Sequence, residues 1–79
     1  MAITSGSGTD ICIRVGRRIA ELRAARGWTQ QVLADLAGIE RSHLARLELG
    51  EREAGLRMLE KIADAMGADV TELLKKSGS

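Results

Sequence analysis

Residues 29–50 read TQQVLADLAGIERSHLARLELG, and this stretch limits the possible folds more than any other part of the chain. Two helices that cross steeply over a short turn need a small residue where their backbones approach. They also need a residue tolerant of positive φ in the turn, and apolar side chains beneath both. Ala34 meets the first need and Gly38 the second, while Leu33, Ala37, Ile39, Leu44 and Leu47 meet the third. Any one of these matches is common, but all seven together are not. The stretch reads as a helix over 30–37 with Thr29 as its N-cap, a tight turn, and a second helix over 41–49 closed by Gly50.

The flanks continue the same pattern. Ile11, Val15, Ile19 and Leu22 recur at helical spacing, which predicts a helix over 10–26 with Thr9 as N-cap and Gly27 at its end. Arg14, Arg17, Arg18 and Arg26 fall mostly off that stripe. Leu56, Leu59, Ile62, Ala63 and Met66 predict a helix over 56–66 ended by Gly67. A short fifth helix over 70–76 follows, with Asp69 and Glu72 at the spacing of a capping box. Trp28, the only aromatic residue, is expected to anchor the core at the junction of the first two helices. With no proline and an apolar set of Leu, Ile, Val, Ala and Met, the fold class is all-α: one five-helix domain over 9–76. Residues 1–8 read as a disordered lead-in and 77–79 as a frayed tail.

At 79 residues the chain is near the lower limit of what folds alone, so a homodimer is the default expectation. Met66, Val70, Leu73 and Leu74 exceed what the fourth helix needs for cover and are the expected dimer interface. Cys12 and His43 are single residues of their kinds, which leaves no disulfide and no Cys/His set for a structural zinc. No cofactor or metal is expected. The apolar runs are too short to span a membrane, no secretory leader pattern opens the chain, and a cytoplasmic protein is expected. Net charge is only +1, but its distribution is uneven. Residues 9–27 carry five arginines against two acids, whereas 28–50 and 51–79 are each net −1. A basic first helix over a near-neutral remainder is compatible with one phosphate-facing side.

The runs GRRIAELRAARGWTQ, LADLAGIERSHLARLELGER, LEKIADAMG and TEL together resemble the phage repressor and Cro-like (XRE-type) helix-turn-helix family. The resemblance covers about residues 13–74. A short domain of this kind also looks like the controller proteins of restriction–modification systems. The resemblance implies a lambda repressor-like five-helix domain that binds operator DNA in the major groove, commonly as a dimer on a near-palindromic site. It implies that Arg41, Ser42 and Arg46, on the recognition helix, meet base edges. Arginine can bond guanine O6 and N7 bidentately, at about 1–3 kcal/mol of discrimination per good pair. It places Thr29, Gln30 and Arg52 on the DNA backbone, with His43 and Arg17 as further candidates. Arg18 is an alternative to Arg17. Arg23 and Glu48 occupy the positions of a structural ion pair that ties the first helix to the end of the third.

Three departures from the family pattern stand out. Val32 replaces a capping-box glutamate, Glu40 puts a negative charge just before the recognition helix, and the loop EREAG lacks the usual proline-serine start of the fourth helix. Two functions compete. One is a sequence-specific double-stranded DNA-binding regulator. The other is a protein-interaction module of the same fold, an antitoxin or adaptor with a protein partner. An enzyme is a poor third, because the chain offers no Ser/His/Asp set, convincing carboxylate pair or phosphate-cradling glycine loop, and no catalytic residues are assigned.

Overall fold

The computed structural model describes residues 7–75, which form five helices: α1 (Ser7–Ala25), α2 (Gln30–Ala37), α3 (Arg41–Glu48), α4 (Leu56–Ala65) and α5 (Val70–Leu74). Each helix contributes one of the largest fully buried side chains: Ile19, Leu33, Leu44, Ile62 and Leu73. The core is therefore a single cluster shared by all five. α1 packs on α3 and α5, α2 on α3 and α4, and α4 on α5. Burying a Leu or Ile completely contributes about 1.5–3 kcal/mol, so no helix is dispensable to this core.

The helix ends follow from local chemistry. Thr29 Oγ1 accepts from the Val32 amide at 3.2 Å and caps α2. At the other end, the Gly38 amide donates to the Asp35 carbonyl at 3.2 Å and the Ile39 amide to that of Ala34 at 2.9 Å. That pair of bonds is a Schellman motif, and it requires the left-handed conformation that Gly38 adopts at φ +73°. Ile39 then folds back as a half-buried plug against the core. The ends of α1, α3 and α4 repeat the same two bonds.

Several boundaries differ from expectation. α1 begins at Ser7, so Thr9 lies inside the helix instead of capping it, and Ser7 and Gly8 are helical. The rest of the expected lead-in, 1–6, lies outside the described residues, as do Lys76 and the tail at 77–79. α1, α3 and α4 end one residue early, at Ala25, Glu48 and Ala65, because the residue before each glycine already belongs to the turn. α5 ends at Leu74. Asp69 caps α5 through the Thr71 amide at 3.4 Å, but Glu72 completes no capping box. Its carboxylate is drawn instead to Arg18 at 3.3 Å and Lys75 at 3.1 Å, because two cations compete better for it than one amide.

Packing also corrects the expected stripes. Ile11 is 41% exposed and Leu56 82%, and Leu36, which the sequence places on the apolar face of α2 with Leu33, Ala34 and Ala37, is 57% exposed. Ile11 and Leu56 border an open groove that no other described element covers, and Leu36 lies off the Leu33–Ala34–Ala37 face that α2 buries. Met66 and Leu73, expected at a dimer interface, lie in the chain's own core at 4% and 0% exposure. α5 packs inward on both α1 and α4, and so consumes them. Leu74 stays 42% exposed, and Val70 is half-buried against the core. Trp28 is half-buried in the junction, with the Arg26 guanidinium 5.9 Å over its ring.

Candidate nucleic-acid interface

Two close approaches hold α3 in place. Gly16 lies against the C-terminal end of α3, where a Cβ would collide with the Leu47 carbonyl oxygen and come within 2.8 Å of that of Glu48. Gly50, just after α3, packs in turn on Ile13, whose Cα would lie 2.8 Å from an added Cβ. α1 and the end of α3 therefore touch backbone to backbone.

The second constraint is electrostatic. Arg23 donates from Nε to Glu48 Oε2 at 2.7 Å, from Nη2 to Glu48 Oε1 at 3.0 Å, and from Nη1 to the Trp28 carbonyl at 2.7 Å. The Glu48 side chain is only 6% exposed. The hydrogen bond to Glu48 raises the affinity of Arg23 for its proton above the ordinary value, against the opposing effect of desolvation. Gln30 Nε2 adds a further donor to Glu48 Oε1 at 2.8 Å.

With Leu44 and Leu47 committed to the core, the opposite side of α3 faces out. Arg41, Ser42 and Arg46 are all exposed, as is Glu40, while His43 is half-buried. Ser42 and Arg46, four residues apart, share one stripe of the helix, and Arg41 stands in its first turn. Among the described residues, the side chains of Arg41, Ser42, His43 and Arg46 make no hydrogen bond or ion pair. Thr29 is exposed at the start of α2, and its hydroxyl accepts the cap bond while keeping its own hydrogen to donate. Arg52, in the loop after α3, and Arg17, on α1, are exposed and equally unpaired among the described residues.

Two other arginines of α1 and its turn, Arg18 and Arg26, serve the fold. Arg18 donates from Nε to the Glu72 carbonyl at 2.9 Å and pairs with its carboxylate, which takes it out of the set available to a phosphate. Arg26 donates twice to the Met66 carbonyl, at 2.7 and 3.2 Å, and so closes the end of α4. Neither role has a local signature, because the acceptors lie 40 and 54 residues away. The contact at Gly16 did leave a trace in the sequence. A glycine inside a helix costs about 1 kcal/mol relative to alanine and normally has a packing reason. No three His, Cys, Asp or Glu side chains gather into a possible metal site among the described residues, and no described helix is long and apolar enough to cross a membrane.

Comparison with known proteins agrees with this geometry. A helix-turn-helix family model matches residues 19–73. The chain is 35% identical over 60 residues to a prophage-derived HTH-type transcriptional regulator, YonR, of Bacillus subtilis, covering 76% of this chain and 56% of that protein. It is 38% identical over 60 residues to the immunity repressor protein of Bacillus phage phi105, covering 76% and 42%. The chain thus spans about half the length of these curated relatives. Among solved structures, the restriction-modification controller protein C.AhdI from Aeromonas hydrophila superposes with a TM-score of 0.77 at 37% identity, covering 78% of this chain and 94% of that one. A corner built on Ala34, Gly38 and Ile39, a matching model across most of the chain, and relatives named as regulators and repressors lead to one assignment: the chain belongs to the XRE-type helix-turn-helix family of transcriptional regulators.

Proposed function

We propose that this domain binds double-stranded DNA sequence-specifically, as a homodimer on a near-palindromic operator, with α3 in the major groove. The observation that carries the reading is the outward side of α3, where Arg41, Ser42 and Arg46 are exposed and, among the described residues, unpaired, while the same helix is locked from behind by Glu48 and Gly16. Arg41 and Arg46 would read guanine edges, and Ser42 would add a less selective bond. Thr29, Gln30, Arg52, His43 and Arg17 would hold the phosphate backbone, helped by the amides at the start of α2. Two copies would present their recognition helices about 34 Å apart, one turn of DNA. Of the apolar residues expected between copies, Leu74 and Val70 keep surface to offer. Such a protein works in the cytoplasm.

Selection of bound duplexes from a random library tests this reading, repeated with an Arg41→Ala/Arg46→Ala variant shown by circular dichroism to stay helical. The expected result is a two-fold site that the variant fails to enrich, with affinity falling steeply as salt rises. No enrichment at moderate salt overturns it. The second reading, a protein-interaction module such as an antitoxin or adaptor, draws on Val32 and Leu36. They lie four residues apart on α2 and are 39% and 57% exposed. It would give a flat salt response and no enriched site.

A further inference from the structure

We infer that Gln30 is a positioning residue, through which Glu48 sets the start of α2 and the end of α3 in one fixed relation. The inference rests on the DNA-binding reading for its consequence but not for its geometry. Glu48 is the last residue of α3, and its carboxylate receives Arg23 on both oxygens and Gln30 on Oε1 at 2.8 Å. Arg23 in turn holds the Trp28 carbonyl in the α1–α2 turn. One buried carboxylate therefore gathers α1, the turn after it, the first residue of α2 and the last residue of α3.

Chemistry settles which way Gln30 faces. An ionised carboxylate only accepts, so the amide nitrogen of Gln30 must face Glu48 and its oxygen must not. One Nε2 hydrogen is spent on Glu48, and the second remains for a phosphate oxygen. Gln30 would then meet DNA already ordered and lose less side-chain freedom on binding than a free glutamine. Its contact with the backbone would also depend on Glu48, which no single-residue view of the interface predicts.

The test is a double-mutant cycle on the full chain with Gln30→Met, which keeps length and removes the donor, and Glu48→Gln. Should Glu48→Gln not fold, Glu48→Asp, which withdraws the carboxylate by one methylene, replaces it. In the free protein, the Gln30 side-chain amide resonances in a nitrogen–proton correlation spectrum should shift markedly when Glu48 is changed. An unchanged pair overturns the inference. The second readout is affinity for the duplex the parent enriches, at a temperature where every variant is fully folded. Gln30→Met should weaken binding by about tenfold, the scale of one hydrogen bond to a charged group, with the salt dependence unchanged. The double variant should then bind no more weakly than the weaker single one. Effects that multiply would show that Gln30 acts on DNA independently of Glu48, and would overturn the inference. If the parent enriches no duplex, the DNA-binding reading fails, and the free-protein spectra alone decide the positioning role.

Discussion

Arg23 and Glu48, 25 residues apart in the chain, meet as a two-bond fork of 2.7 and 3.0 Å, with side-chain exposures of 18% and 6%. Removing one partner of such a pair leaves the other charge buried and unsatisfied, at a cost of about 3–5 kcal/mol. A domain of this size has a total stability of roughly 5–15 kcal/mol. Glu48→Ala should therefore lower the chemical denaturation midpoint sharply or prevent folding. A midpoint equal to the parent's would show that the pair is not structural.

Gly16 makes a prediction against helix propensity. In an exposed helix, Gly→Ala stabilises by about 1 kcal/mol. Here the added methyl would run into the Leu47 carbonyl oxygen, which cannot move without shifting α3. Gly16→Ala should destabilise by about 1–3 kcal/mol, the usual range for overpacking, and should weaken DNA binding as well. Stabilisation measured by thermal melting would refute the close approach.

Leu73 and Leu74 are neighbours with opposite environments, at 0% and 42% exposure. Leu73→Ala should cost about 2–5 kcal/mol, as deletions in a packed core do. Leu74→Ser should change stability by only about 0.5 kcal/mol, while raising the concentration at which sedimentation equilibrium shows dimers. Equal losses of stability from the two would place both in the core.

Glu72 supplies a pH signature. Its carboxyl is held below the ordinary 4.5 chiefly by Lys75, against desolvation, with a lesser contribution from Arg18. A depressed folded-state value means that the contribution is fully present above 4.5 and is lost as pH falls through the folded-state value. Melting temperature followed through the acid range should therefore fall less in Glu72→Gln than in the parent. Parallel curves would mean that the ion pairs of Glu72 with Lys75 and Arg18 add no pH dependence.

Glu40 occupies the N-cap of α3, yet its side chain makes no cap bond. Its charge still favours the positive end of the helix dipole, by about 0.3–1 kcal/mol. Beside DNA the same charge opposes phosphate. Glu40→Gln should lose little stability and bind mixed-sequence DNA more tightly. Weaker binding, confined to one base position of the selected site, would instead make Glu40 a reader of cytosine N4.

The helix-turn-helix corner was legible in the sequence because its requirements are local. Ala34, Gly38 and Ile39 act within a few residues of one another, and the left-handed turn at Gly38 follows from the chemistry of a single residue. Helix periodicity likewise placed Ile19, Leu33, Leu44 and Ile62 on inward faces. The ends of α1 and α5 were less legible, since Thr9, a good cap by its chemistry, lies inside α1, and the carboxylate of Glu72 has partners outside its own helix.

What only the tertiary structure decided is how surplus groups were allotted. From the sequence, Arg17 and Arg18 are equivalent neighbours on a basic helix, yet Arg18 is taken by Glu72, 54 residues away, and Arg17 remains exposed. Met66 and Leu73 could equally have faced a second copy, but the packing of α5 on α1 and α4 buried them. The sequence presents Gln30 as a simple phosphate ligand, whereas in the fold its amide nitrogen donates to Glu48. Periodicity determines which side of a helix is apolar. Which distant partner each side chain meets depends on how the helices cross, and that follows from backbone contacts such as the one at Gly16.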